Sequence, residues 1–210
     1  MFYRFMGLIM RAIFASLYRW RVRGREHVPA AGGCVIVANH TNFADPLVLG
    51  SAILPVRVTR FMAKAEIFSW PVLGLLARWL QAFPVRRGVA DRHAIATALQ
   101  LVRDGQVLGL FPEGTRHRDG SLHELRNGAA MVHLNTGAPI VPVGLAGTER
   151  LRLFRFPLLC VQIGRPLAPV RTEGMSDKEA IAAVNAAIRE GLEASMAQAR
   201  ALRAARAGRG

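Results

Sequence analysis

CVIVANHTNFADP, residues 34–46, changes character twice within a few turns of chain. Cys34–Ala38 is a short, wholly apolar run, which predicts a buried strand ending at Asn39-His40. Asp45-Pro46 then predicts a helix start, with an acid at the N-cap and proline at the first helical position. A buried strand that passes through a polar loop into a helix is the opening of a strand–helix–strand unit.

Outward from that stretch the alternation repeats. Strands are expected at Arg57–Ala63, Gln81–Val85, Gln106–Phe111, Ile140–Val143 and Leu158–Ile163. Helical segments are expected at Phe68–Leu80 and Arg126–Thr136, the latter ending at Gly137. Arg92–Arg103 carries an apolar stripe at Ile95, Ala98, Leu99 and Val102. The last helix begins at Ser176, where Glu179 completes a capping box, and Ile181, Val184, Ile188, Leu192 and Met196 give it one apolar face. The fold class is therefore α/β: a single domain with a mixed or mostly parallel sheet flanked by helices. The expected divisions are an amphipathic membrane-interface helix over 1–25, the α/β domain over 26–197 and a basic tail over 198–210, where Arg200, Arg203, Arg206 and Arg209 recur without an acid.

A chain of 210 residues with 51% apolar composition buries one sizeable core. Its formal charge of +14 rests almost wholly on arginine, because Lys64 and Lys178 are the only lysines. A basic surface favours nucleic acid, anionic lipid or phosphorylated substrates. Only 7% of residues are aromatic and no nucleic-acid motif occurs, so nucleic acid is not an expected partner. Cys34 and Cys160 are isolated in apolar runs and read as reduced core residues.

Met1–Trp20 is rich in Phe, Leu, Ile and Met but is interrupted by Arg4, Arg11 and Arg19, so it is too broken to span a bilayer. At about 100° per residue those arginines share one sector of a helix. That pattern suits a helix lying in the interface of an anionic membrane, and Arg21, Arg23 and Arg25 extend its basic edge. An amphipathic helix packed on the domain is the plainer alternative.

Three loops that follow predicted strands carry the chemistry: residues 39–45 (NHTNFAD), 83–88 (FPVRRG) and 111–116 (FPEGTR). In open α/β sheets ligands bind beyond the carboxyl ends of strands, which lets such loops converge. His40 and Asp45, five apart across a tight loop, can face each other as a base and its orienting carboxylate, while an ordinary Asp-Pro helix start and a polar residue closing a strand are the plainer readings. No serine or cysteine nucleophile is needed when the substrate supplies its own hydroxyl. Arg86, Arg87 and Arg116 offer guanidinium groups for a phosphate, and Gly114 and Thr115 offer backbone N–H and hydroxyl donors. Glu113 also reads as a buttress pairing with an arginine. His117, His123 and His133 lack zinc spacing, and no GxSxG elbow, phosphate loop or dinucleotide fingerprint is present.

These blocks, in this order, resemble the 1-acylglycerol-3-phosphate (lysophosphatidic acid) acyltransferase family of glycerolipid acyltransferases over roughly residues 27–147. NHTNFADP carries the family's His–four residues–Asp motif, FPVRRG is similar to its second block with Arg87 the better match, FPEGTR matches its third, and IVPVG at Ile140–Gly144 resembles its apolar fourth. The resemblance implies His40 as general base, Asp45 as its partner, and Arg87, Glu113, Gly114 and Arg116 as glycerophosphate-binding residues. It associates the fourth block with the acyl or acceptor pocket. It also implies transfer from acyl-CoA or acyl carrier protein to a lysophospholipid acceptor at the cytoplasmic face of a membrane, with peripheral or monotopic attachment. No metal or organic cofactor is implied beyond the acyl carrier. The amino-terminal segment leaves room for one interfacial helix where a longer helical anchor would depart less from the family. Alternatives are the same chemistry on glycerol 3-phosphate or another lyso-lipid, and a noncatalytic basic module that binds lipid or nucleic acid.

Overall fold

A computed structural model describes residues 9, 12–14, 16, 18, 20–86, 91–151, 157–168, 170 and 173–207. Its centre is one seven-stranded sheet: β1 (Arg21–Arg23), β2 (Cys34–Ala38), β3 (Thr59–Lys64), β4 (Phe83–Val85), β5 (Val107–Leu110), β6 (Ile140–Ala146) and β7 (Cys160–Ile163), in spatial order β1-β7-β6-β2-β5-β3-β4. Every neighbouring pair is parallel except β6 with β7. It is accompanied by helices α1 (Asp45–Ile53), α2 (Pro71–Trp79), α3 (Arg92–Arg103), α4 (Gly128–Thr136) and α5 (Asp177–Ala207). The expected α/β domain on a mostly parallel sheet is therefore what the chain forms.

β2 is buried along its whole length because both faces of the sheet are covered. Cys34, Ile36 and Ala38 pack with Val48, Leu49, Ala52 and Ile53 of α1 on one face. Val35 and Val37 pack with α3, α4 and α5 on the other, through residues such as Ala98, Ala130 and Ile188. A continuous apolar pentapeptide is the sequence such a two-sided strand requires.

The chain leaves β2 across the α1 face toward β3, and leaves β5 across the opposite face toward β6. Since β2 and β5 are neighbours, their outgoing connections diverge beyond their carboxyl ends, the place at which α/β sheets form a ligand crevice. That edge carries the loops singled out above.

Several boundaries move. β6 runs on to Ala146, three residues beyond the expected Val143, and β3 spans Thr59–Lys64 rather than Arg57–Ala63. The expected helix at Phe68–Leu80 divides into a 3-10 turn, Ala65–Ser69, and α2, because Pro71 occupies the first helical position. Arg92–Arg103 and the Ser176–Glu179 capping box stand as expected, the Glu179 carboxylate accepting from Ser176 N–H at 2.9 Å.

Both termini of the expected division need correction. Arg21–Arg23 is a parallel edge strand on β7 and Arg25 opens a 3-10 turn, so the basic run assigned to an interface helix over 1–25 does not continue that helix. Phe14 and Trp20 are buried in the α1-side core with their rings 5.3 Å apart, which fits the packed alternative for that part of the segment. Arg4, Arg11 and Arg19 lie outside the described residues. At the other end α5 continues unbroken past residue 198 to Ala207, with Ala199 buried. Arg200 donates to the carbonyl of Gly120, and Arg203 Nε donates to that of Leu158 at 3.2 Å. These arginines pin loops of the domain. Arg209 lies outside the described residues, as does the side chain of Arg206.

Candidate active site

The end of β2 is held from both sides. Asn39 continues the ladder toward β6 through its side-chain amide, which donates to Leu145 O at 3.1 Å and accepts from Leu145 N–H at 2.8 Å. On the β5 side, His40 N–H donates to Glu113 Oε1 at 2.9 Å, and His40 O accepts from His117 N–H at 2.9 Å. Thr41 Oγ1 lies 2.9 Å from Thr148 Oγ1 just beyond β6. The His40 backbone is thus bonded to the Glu113 carboxylate of the third block and to the His117 backbone just beyond it.

Within this frame His40 Nδ1 and Asp45 Oδ2 are 2.9 Å apart. The same oxygen accepts from Thr41 N–H at 2.6 Å and Asn42 N–H at 2.7 Å. Asp45 is therefore not the expected N-cap. Ala44 holds that place, Asp45 opens the helix, and its carboxylate turns back into the loop. An oxygen already taking two N–H donors acts as an acceptor, so the proton of the third bond belongs to Nδ1. The imidazole is then the Nδ1–H tautomer, with the Nε2 lone pair available. The His40 ring stacks on Phe111, centroids 4.2 Å apart, and Phe111 in turn lies parallel to Phe61 at 6.2 Å.

Glu113 is buried, and both of its oxygens serve backbone amides, Oε1 that of His40 and Oε2 that of His123 at 3.3 Å. It buttresses the loop as one reading of the sequence expected, but through N–H groups rather than an arginine. Phe111–Gly114 closes a turn in which Gly114 N–H donates to Phe111 O at 3.0 Å. Gly114 takes φ +70° there, a conformation that a side chain would strain. That turn delivers Thr115 and Arg116 to the surface. The Arg116 guanidinium carbon sits 3.4 Å from the centroid of the Phe43 ring, three residues beyond His40. Stacking engages the guanidinium face, while its N–H donors lie around the rim in the same plane.

Arg86 is exposed at the carboxyl end of β4, three strand spacings or about 14 Å from β2. Its backbone N–H donates to Asp91 Oδ2 at 2.8 Å. The amides of Arg86 and Ala94 hold the Asp91 carboxyl below the usual carboxylate range. Arg87 and Gly88 lie outside the described residues. Lys64 was not singled out from sequence, yet it ends β3 between β5 and β4, bridged to Glu66 at 3.1 Å. Its signal was rarity, as one of two lysines in an arginine-rich chain. Phe43 and Phe111 were also missed, since an aromatic in an apolar-rich loop carries no mark of what it stacks on. Pro142 and Gly144 of the fourth block are buried in β6 beneath α5, against Gly191 and Ser195.

The loop after Arg116 is braced in the same way. His117 and His123 stack at 3.6 Å, and the Ser121 hydroxyl with His123 holds the Asp119 carboxyl down to about 2. Arg189 of α5 donates to His123 O at 2.8 Å. Among the described residues no group of three or more His, Cys, Asp or Glu is arranged to hold a metal ion.

A family model described as acyltransferase matches residues 19–146. The chain is also 30% identical over 189 residues to the 1-acyl-sn-glycerol-3-phosphate acyltransferase of Bacillus subtilis, covering 90% of this chain and 94% of that one. The chain belongs to the acyltransferase family. The mouse 1-acyl-sn-glycerol-3-phosphate acyltransferase alpha is 31% identical over 178 residues, 80% of this chain and 61% of its own. In fold, this acyltransferase superposes on the crystal structure of the 1-acyl-sn-glycerophosphate acyltransferase from Thermotoga maritima with a TM-score of 0.70 at 24% identity, covering 91% of this chain and 78% of that one. The four ordered blocks all lie within the family-model span.

Proposed function

We propose that this acyltransferase moves a fatty acyl group from the thioester of acyl-CoA or acyl carrier protein to the free hydroxyl of 1-acylglycerol-3-phosphate, giving phosphatidic acid. The observation that carries the reading is the buried His40–Asp45 bond at 2.9 Å in the same loop whose Phe43 ring seats Arg116. A proton acceptor and a cation held by one loop suit an acceptor that carries both a hydroxyl and a phosphate. The naming of the Bacillus subtilis and mouse relatives supports the same acceptor.

In the proposed step the acceptor oxygen attacks the thioester carbonyl while His40 Nε2 takes its proton. Asp45 steadies the imidazolium that forms. The tetrahedral adduct collapses, the carbon–sulfur bond breaks, and the departing sulfur receives the proton from His40 as free thiol. Arg116 binds the acceptor phosphate, with Lys64 and Arg86 farther along the same strand edge as secondary cations; Arg87 is proposed alongside them on the family resemblance alone. Gly114 and Thr115 shape the turn that presents Arg116. A chain of net charge +14 suits work at the anionic, cytoplasmic face of a membrane, where such acceptors reside. Among the described residues no helix is long and apolar enough to cross a bilayer.

The test is transfer from acyl-CoAs of graded length to lysophosphatidic acid, beside glycerol 3-phosphate, lysophosphatidylcholine and unphosphorylated monoacylglycerol. Wild type should prefer lysophosphatidic acid, and His40→Ala should lower turnover by about 10²–10⁴ while staying folded. Near-wild-type transfer by His40→Ala would remove the base from the mechanism. Arg116→Ala should cost phosphorylated acceptors more than the monoacylglycerol, and equal losses would remove the phosphate role.

A further inference from the structure

Helix α2 carries large apolar side chains on its solvent side. It buries its small residues, Gly74 and Ala77, and turns Val72 and Leu75 to solvent at 69% and 68% exposure. Trp70, immediately before it, is 58% exposed. Ordinary surface helices turn polar residues outward. Close packing sets the inner side. A Cβ on Gly74 would stand 2.6 Å from Phe68 O, so the preceding 3-10 turn demands glycine on the inner side. Leu73 and Leu76 are half-buried on its flanks and Leu80 is buried just beyond it, which leaves Val72 and Leu75 on the outer face.

The position of this face names its occupant. Residues 65–82 leave the sheet at the carboxyl end of β3, the same edge that carries His40, Arg116 and the exposed Phe43. Trp70 and Val72 open that crossover and so lie toward this edge. From the end of β3 to the end of β4 the basic residues are Lys64, Arg78 and Arg86, against one acid, Glu66, which Lys64 already bridges. An indole and two aliphatic side chains set in a basic surround match the boundary of an anionic bilayer, where headgroups meet acyl chains. We propose that Trp70, Val72 and Leu75 form a membrane-docking face that seats the crevice mouth on anionic lipid, separately from the amino-terminal segment. The choice of a bilayer over another partner rests in part on the lysophospholipid reading, because that acceptor must be drawn from a membrane.

Flotation with vesicles of phosphatidylcholine alone, and of phosphatidylcholine with phosphatidylglycerol, tests the proposal on the full chain. Val72→Ser with Leu75→Ser should weaken partitioning onto the anionic vesicles at least about tenfold. Both side chains are solvent-facing, so the thermal unfolding of this variant should match wild type. It should slow acylation of vesicle-borne lysophosphatidic acid and leave acylation of a short-chain, water-soluble analogue unchanged. Independently, bromine-labelled acyl chains should quench wild-type tryptophan fluorescence, and Trp70→Phe should lose most of that quenching. Wild-type partitioning by the double variant, or quenching unaltered in Trp70→Phe, would overturn the proposal. So would a wild-type dimer in sedimentation that the double variant dissociates, since the face would then belong to a second copy. Loss of vesicle binding in the double variant, with no acyl transfer by any form, would uphold the docking face and sink the proposed function alone.

Discussion

Replacing Asp45 by asparagine separates the charge behind His40 from the geometry that holds it. One carboxylate oxygen accepts from Thr41 N–H, Asn42 N–H and His40 Nδ1 at 2.6, 2.7 and 2.9 Å, while Oδ1 is buried with no hydrogen-bond partner among the described residues. An amide oxygen in the Oδ2 position keeps all three bonds, because every partner is a donor. The amide nitrogen then fills the Oδ1 position, and burying its donors without acceptors costs roughly 1–3 kcal/mol. For a chain of this length, that lowers Tm by about 2–12 °C. Turnover should suffer separately, since the imidazolium formed during transfer would face a neutral amide. Loss of a charge-assisted bond is worth about 1.5–3 kcal/mol, or roughly 10–150-fold in kcat. KM for either substrate should hardly move, because the amide touches neither. The assay is continuous thiol release from acyl-CoA with lysophosphatidic acid as acceptor, run beside thermal unfolding by circular dichroism. Asp45→Ala is the comparator, since it strips the acceptor from three buried donors and should lose more Tm than asparagine does. Asparagine turnover within about a factor of two of wild type would refute the role of the charge, because even the lower bound is tenfold.

Phe43→Ala removes the platform under Arg116, so it should raise KM for phosphorylated acceptors several-fold, by about the 0.5–2 kcal/mol of a cation–π contact. An unchanged acceptor KM would show that stacking does not position the guanidinium. Gly144→Ala would drive a Cβ into the backbone of Ser195 and Met196, so α5 must shift. A destabilisation of about 3 kcal/mol or more is expected in denaturant unfolding, and a wild-type midpoint would contradict the packing. Burial pushes the Cys34 thiol up to about 11, with Arg57 partly opposing it. Its folded pKa is raised, so the associated stability is complete below the unfolded value and lost as pH rises toward 11. At pH 8 native Cys34 should resist iodoacetamide and react readily once unfolded, with its native thiolate about a hundredfold scarcer than in the open chain. Rapid native alkylation would contradict that burial.

Much of this protein was legible along the chain. Arg92–Arg103, the Ser176–Glu179 cap and the β2 strand are set by periodicity, capping and apolar runs that act over a few residues. The His40–Asp45 pair was legible for the same reason, since a five-residue loop can close on itself wherever it sits in a fold. The roles beyond it were not. Asp45 looks like an N-cap by composition, but the caps are chosen by where backbone amides point, and those of Thr41 and Asn42 claimed its carboxylate. Arg21–Arg23 carries no strand signal of its own and is a strand only because β7 offers an open edge. The bond from His40 N–H to Glu113, the seat of Arg116 on Phe43 and the outward face of α2 all depend on which strands became neighbours. Spacing along a chain encodes local turns and faces, whereas the pairing of distant segments is decided by which strand order buries both faces of β2 at once.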